Sequence, residues 1–392
     1  MRRRDNPYTP GAGRRPQVLA GRDRDLDDFS AMVEKLSSGG SDRSVIYTGL
    51  RGVGKTVLLM EFDLLASDAG WATTEVQEVG NNPDFRALFT TMALRLLRSL
   101  SRKHRMGGRV EAALRVLKAF SVTLPANLVQ IKLDVEPLAG KADSGDPEQD
   151  LAELLEEIGE TALEAHTGAL FVIDEMQQLD DSAMSAICMA LQAVSRKNLP
   201  VALVGAGLPD LRRKLLAAKP YADRLFAYEE LGGLEPSAAA QALRGPCARE
   251  GVDFDNEAIQ HILERTAGYP YFLQVYGQEI WNSAEESPIR LEDVEDVEQL
   301  FNETLARGFF GPRFELATDA EQKYLIAMAA LGAGPYRTAE VAERYGAQTQ
   351  RAVSVHRDNL INKGLIWSPR RGDVDFTVPL FAEYIRHTHP LD

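Results

Sequence analysis

Apolar positions along this chain alternate between two periods. Leu26, Phe29, Met32, Val33 and Leu36 recur at helical spacing, so an amphipathic helix is predicted over about 25–36. Ser44-Val45-Ile46-Tyr47 is a run of strand length, and residues 56–65 return to a helical pattern. Residues 71–79 alternate as a strand does. Asn81-Asn82-Pro83-Asp84 opens a long helix with Leu88, Met92, Leu96 and Leu100 on one face. Residues 151–165 are strongly periodic, and Gly168-Ala169-Leu170-Phe171-Val172-Ile173 is an apolar run closed by Asp174 and Glu175. Such a run predicts a central parallel strand buried on both faces. A helix over 180–195, a second buried strand over 200–207 and a helix over 209–216 follow, and residues 221–228 lead into a last edge strand. Strands alternating with helices predict an α/β fold, a parallel sheet with right-handed crossovers and helices on both faces.

The texture changes at Pro236. Helices are predicted at about 237–250, 256–266, 270–283 and 291–307, with no strand pattern between them. It changes again near Phe310. Three helices (319–331, 338–345, 349–363) precede a hairpin of Leu365-Ile366-Trp367 and Val374-Asp375-Phe376-Thr377 across the turn Arg370-Arg371-Gly372-Asp373, and a helix over 380–386 closes the pattern. Three helices and a hairpin predict a winged helix-turn-helix. Pro7, Pro10 and Pro16 with several arginines predict an extended lead-in. Residues 102–150 read as an insertion, with a helix over 110–120, a strand-like stretch over 128–135 and a polar loop over 139–147. The expected organisation is a lead-in (1–17), a core (18–234), a helical lid (235–309) and a winged-helix domain (310–392).

Composition narrows the functional classes. A chain of 392 residues is expected to split into two or three domains. No apolar run approaches the ~18 residues of a membrane span, and the basic start is followed by no apolar segment, so a cytoplasmic protein without membrane or secretory signals is expected. Cys188 and Cys247 are the only cysteines, too few for a disulfide framework or a zinc site. The net charge of −14 is unevenly spread. Residues 311–392 hold ten Lys and Arg against ten Asp and Glu, leaving 34 against 48 in the rest. An acidic body argues against broad, non-specific nucleic-acid binding.

The chemistry lies in Gly49-Leu50-Arg51-Gly52-Val53-Gly54-Lys55-Thr56, followed by Val57. The pattern Gly, four residues, Gly-Lys-Thr between a strand and a helix is a phosphate-binding loop. Gly49, Gly52 and Gly54 let backbone N–H groups approach phosphate oxygens where a Cβ would collide. The helix start adds partial positive charge, Lys55 reaches the β- and γ-phosphates, and the Thr56 hydroxyl suits Mg²⁺. Asp174 at a strand end is then a candidate to hold the metal's water shell, and Glu175 to deprotonate an attacking water. Away from such a loop, the same pair reads as a helix cap.

In this order, the phosphate loop, the Asp174-Glu175 strand, the helical module and the winged helix resemble the AAA+/STAND ATPases of the archaeal-ATPase and origin-recognition-like group. The resemblance runs from about 18 to 385. It implies a P-loop NTPase sheet, ATP with Mg²⁺ as ligands, and a nucleotide-controlled switch. Leu19-Ala20-Gly21-Arg22-Asp23 looks like the box at the adenine end of the nucleotide, which implicates Gly21 and Arg22. Gly268-Tyr269-Pro270 looks like the lid motif set against nucleotide, which implicates Tyr269 and Pro270. Arg224 stands where the group carries an arginine before its last core strand, either a finger completing a neighbouring copy's site or a surface arginine. Arg244 and Arg249 are candidate γ-phosphate sensors on the lid. Gly205-Ala206-Gly207 stands where many relatives carry a polar sensor. The winged helix has two readings, DNA contact through Arg351, Arg357, Arg370 and Arg371, or protein docking. Nucleotide-dependent homo-oligomers are a further implication. A kinase is a third reading, disfavoured because adjacent carboxylates suit water as acceptor.

Overall fold

The strand 44–49 and the two apolar runs at 169–174 and 201–207 lie side by side, as their burial demands. The computed structural model describes residues 3–11, 13–80, 84–104, 107–122 and 135–390. It divides into two units, one of Arg22–Thr48 with Lys55–Glu230, the other of Met1–Gly21, Gly49–Gly54 and Leu231–Asp392.

The first unit runs α1 (Asp23–Ser37), β1 (Ser44–Gly49), α2 (Lys55–Asp68), β2 (Ala72–Thr73), β3 (Gln77–Glu78), α3 (Phe85–His104), α4 (Gly107–Ser121), α5 (Pro147–Glu164) and β4 (Ala169–Asp174). It continues through α6 (Asp181–Arg196), β5 (Val201–Gly207), α7 (Leu211–Ala218), α8 (Ala222–Leu225) and β6 (Phe226–Leu231). The sheet order is β2-β4-β5-β1-β6, with β3 also paired to β4. The pairs β1–β5, β4–β5, β2–β4 and β3–β4 are all parallel. Alternation along β4 separates its faces. Ala169, Phe171 and Ile173 join one large core with α3, α4, α5 and α6, in which Phe89 lies 5.9 Å from Phe171. On β1, Tyr47 instead meets Phe62 of α2 (5.3 Å), which stacks on Phe29 of α1 (4.4 Å). Helices thus cover both faces.

In this unit the structure refines three points of the sequence reading. The strand expected over 71–79 is split into β2 and β3, because Thr74 turns its hydroxyl to the Val172 N–H (2.9 Å) and Glu75 adopts φ +57°. Residues 221–228, expected to lead into an edge strand, pass through the helical turn α8 before entering β6 at Phe226. The expected insertion is partly core, since Val110, Ala113, Val116, Leu117 and Phe120 of α4 belong to the same apolar cluster as the sheet. The strand-like stretch over 128–135 and the helix start at 81–83 lie almost wholly outside the described residues.

Asp150 ties this region together. It is fully buried and accepts hydrogen bonds from Arg86, from the Ser144 N–H (2.8 Å) and hydroxyl (2.7 Å), and from the Gly145 N–H (3.1 Å). Burial alone would raise its pKa, but the Arg86 guanidinium and the Ser144 bonds outweigh it and hold the carboxyl below its usual range. Asp150→Asn strands a buried guanidinium and is expected to cost about 3 kcal/mol, seen as a drop in melting temperature. A depressed folded pKa contributes stability above the unfolded value and loses it in acid. The melting gap between wild type and variant is therefore expected to be full above about pH 4 and to fade below it.

The second unit begins with the lead-in, which is extended but packed. Asn6 donates to the Gln278 carbonyl (3.0 Å), and the Tyr8 hydroxyl donates to the Leu243 carbonyl (2.5 Å). Tyr8 fills space that a side chain at Gly277 would occupy, its ring 2.5 Å from where a Cβ would stand. The helical module expected as a lid comprises α9 (Pro236–Ala248), α10 (Asn256–Thr266), α11 (Pro270–Ser283), α12 (Leu291–Asp296) and α13 (Glu298–Leu305). The helix expected over 291–307 breaks at Val297, which caps both α12 and α13. A π-helical turn over Ala306–Phe310 leads to α14 (Gly311–Glu315), α15 (Asp319–Ala329), β7 (Tyr336–Arg337), α16 (Thr338–Tyr345), α17 (Ser354–Asn362), β8 (Ile366–Trp367), β9 (Asp373–Phe376) and α18 (Phe381–Thr388). The strands form an antiparallel sheet in the order β7-β9-β8, so a third strand joins the expected hairpin. Both cysteines are free and buried. Among the described residues, no helix is long and apolar enough to cross a membrane.

Candidate nucleotide-binding site

The loop after β1 turns on its glycines. Gly52 and Gly54 have φ +91° and +94°, conformations that side chains other than glycine rarely adopt. A Cβ on Gly49 would collide with the Leu231 carbonyl. Lys55 and Thr56 open α2, with Lys55 only 6% exposed. Val53 is buried, while Leu50 and Val57 are half-buried.

Within the first unit, the Thr56 hydroxyl donates to Asp174 Oδ2 (2.5 Å). That bond joins the first turn of α2 to the last residue of β4. Burial raises the Asp174 pKa, partly offset by bonds from Thr56 and from the Glu175 N–H. Glu175 sits at φ +53°, a strained position for a residue with a Cβ and of the kind that gathers at working sites. Hydroxyl and carboxylate are hard oxygen donors of the type Mg²⁺ takes together with phosphate oxygens, so the pair fits that ion. No group of three or more His, Cys, Asp or Glu side chains among the described residues is placed to hold a metal by itself.

The sequence reading missed Gln177. This buried residue donates its amide to Glu175 Oε2 (2.5 Å) and accepts from the Leu208 N–H (3.1 Å). A Cβ on Gly207 would stand 2.6 Å from Gln177 Oε1, and one on Gly205 would collide with Met176. The glycines found where relatives carry a sensor therefore leave room for the two residues after Glu175. Two glycines spaced by two on a buried strand were the available signal.

Within the second unit, the lid and the C-terminal segment both engage the loop. The Tyr269 hydroxyl donates to the Arg51 carbonyl, and the Tyr271 N–H to the Gly52 carbonyl (3.2 Å). Pro270 begins α11 beside them. The Arg51 N–H donates to the Thr377 carbonyl (3.3 Å).

The remaining candidates are dispersed. Arg22 precedes α1, near Asp25 and Tyr47. Gly21 (φ +66°) lies against Ala238, 2.7 Å from where its Cβ would stand. Arg224 lines a cavity with Arg43 and Ser44 at the start of β1 and Val201 at the start of β5, a strand length away from Asp174 at the end of β4. Its side chain is 82% exposed and pairs weakly with Asp223 (3.7 Å). Arg244 bonds to the Phe254 carbonyl and to Asn256 within the lid, and Arg249 is exposed.

Residues 18–204 match the AAA ATPase domain family, and residues 307–385 match a domain of unknown function, DUF8462. No curated protein matches the chain. Among solved structures, the Walker-type ATPase PABY2304 of Pyrococcus abyssi shares the fold at a TM-score of 0.59 and 14% identity, over 95% of this chain and 97% of that one. The ORC1 protein of Aeropyrum pernix in complex with DNA gives 0.47 and 18%, over 95% and 94%. The Thermotoga maritima RuvB branch-migration motor gives 0.46 and 16%, over 95% and 97%. Residues 18–204 thus resemble an AAA ATPase domain, and the parallel sheet flanked by helices is the fold the chain shares with PABY2304.

Proposed function

We propose that the chain binds and hydrolyses ATP with Mg²⁺ and works as a nucleotide-controlled switch. The observation that carries this reading is the Thr56–Asp174 bond, which sets the loop's hydroxyl on a buried carboxylate beside Glu175. The N–H groups of residues 52–56 and Lys55 hold the phosphates. Thr56 and Asp174 would hold Mg²⁺, which when bound neutralises charge on the phosphate oxygens. Glu175 takes the proton of the attacking water, its carboxylate steadied by Gln177. Gly21, Arg22 and Tyr269 would flank the adenine, on the resemblance alone. Calorimetry with Mg·ATP and a phosphate-release assay test the reading. No heat, or turnover equal in wild type and Lys55→Ala, refutes it.

The loop's bonds to Tyr269 and Thr377 support the switch, because a change in loop conformation cannot leave both partners unmoved. For the C-terminal domain, read as a winged helix, protein docking fits better than DNA. Of the four candidate DNA-contacting arginines, Arg357 pairs with Asp358 (2.7 Å) and Arg370 with Asp373 (3.6 Å), so half of that charge already faces a carboxylate in a domain with no basic excess. At about 0.15 M salt, the full chain is expected to leave a duplex DNA probe unshifted. A shift abolished in an Arg370→Ala/Arg371→Ala variant would restore the DNA reading. Arg224, exposed and far from Asp174, serves catalysis only if a second copy brings it to a neighbouring site. Light scattering with and without a slowly hydrolysed ATP analogue tests that.

A further inference from the structure

We infer that an exposed arginine stripe on α3 is a docking face for a second copy of this chain, which meets it with the acidic surface of its own α12 and α13. Nothing in this interface depends on the phosphate loop.

Charge is segregated along the sequence. Residues 85–110 hold seven Lys and Arg and no Asp or Glu, in a chain of net charge −14. Residues 285–303 hold eight Asp and Glu against Arg290 alone. The two segments therefore carry formal charges of +7 and −7. Solubility is served by mixed charges, whereas a single-sign face steers and selects an oppositely charged partner.

Folding turns part of each segment into a fixed outward face. Phe89, Met92, Leu96 and Leu100 bury one side of α3 in the core. Arg95, Arg98 and Arg102, at i, i+3 and i+7, are thereby held on the exposed opposite side. Arg95 donates to the Thr74 carbonyl (3.2 Å) and lies 3.3 Å from Glu75, while the Arg102 guanidinium donates to the Arg98 carbonyl (3.3 Å). Among the described residues, neither Arg98 nor Arg102 is in an ion pair. The acidic surface is anchored by burial of Val294, Val297 and Phe301, and by the pairing of Arg265 with Glu298 (3.2 Å). Glu295 and Asp296 stand exposed, and the exposed Glu292 comes no nearer than 3.8 Å to Arg290.

The shape of the acidic surface favours a protein contact. Leu300 is 42% exposed among these carboxylates. An arginine can lay its hydrocarbon stem over such a leucine while its guanidinium meets the carboxylates. Glu292, Glu295 and Asp296 fall within about one helical turn, as do Arg95 and Arg98, so the two rows match in spacing. A nucleic acid gains less here, because the net charge of −14 repels a polyanion. The contact joins unlike surfaces, so each copy keeps one face of each sign for a further neighbour.

Light scattering of the full chain without nucleotide is the test. At about 0.05 M salt the mass should rise with protein concentration, and at about 0.5 M salt it should return to that of the monomer, since exposed pairs are screened. Arg98→Glu/Arg102→Glu and Glu295→Lys/Asp296→Lys should each weaken association by about tenfold or more. A chain carrying all four substitutions exchanges the sign of both faces and should recover association to within about threefold of wild type. A damaged fold would not be repaired by two further substitutions, so recovery is diagnostic. A monomer at every salt concentration, association that survives both reversals, or failure of the combined chain to recover overturns the interface. If Arg98→Glu/Arg102→Glu removes binding of a DNA or RNA probe and leaves the mass unchanged, the stripe serves nucleic acid and the interface falls. Each of these failures leaves Mg·ATP binding at residues 49–56 untouched.

Discussion

Lys55→Ala is expected to weaken Mg·ATP binding by at least about 100-fold, the scale set by removing one partner of a desolvated charge pair. Lys55 is the first residue of α2 and only 6% exposed, so its ammonium is poorly hydrated and its stem is held by the helix. The loop's N–H groups remain in the variant, but they are dipoles, and a triphosphate brings several negative charges. No other lysine falls within the motif to replace the lost charge. Lys55→Arg should not rescue binding, because a planar fork cannot replace a compact ammonium inside a tight loop. Calorimetry supplies the affinity, and melting temperature without nucleotide supplies the control. An affinity within threefold of wild type would show that residues 49–56 are only a turn.

What was legible in the sequence follows from how local each signal is. The loop, its flanking strand and helix, and the Asp174-Glu175 pair are encoded within a few consecutive residues whose backbone needs exclude most alternatives. The buried strands at 169–174 and 201–207 were legible because an apolar run of that length has few other uses. The split between β2 and β3 was not, because it depends on Thr74 reaching Val172, nearly 100 positions away in the chain. Tyr8 was invisible for the same reason. Its partners, Leu243 and Gly277, lie in the lid, and a Pro-rich segment with one buried aromatic reads locally as a linker. Gly205 and Gly207 were legible as an absence of sensor side chains, yet their purpose emerges only when Met176 and Gln177 are seen filling the space.

Glu175→Gln is expected to leave Mg·ATP affinity within about threefold of wild type while lowering turnover by about 100-fold or more, the contribution of a positioned base. The substitution is nearly isosteric and keeps the φ +53° backbone under the same load. A neutral amide accepts no proton at any working pH, so the water must give its proton to solvent. Gln177 supplies the internal control. Its amide holds Glu175 Oε2 from one side while its carbonyl accepts from Leu208 on the other, so it orients the carboxylate without being able to take a proton itself. Gln177→Ala should therefore lower turnover by less, about tenfold. The two variants separate base from support. Equal losses in both would mean that Glu175 acts only through geometry and that the base lies elsewhere. Unchanged turnover in Glu175→Gln would return the residue to its lesser role as the cap of the turn after β4.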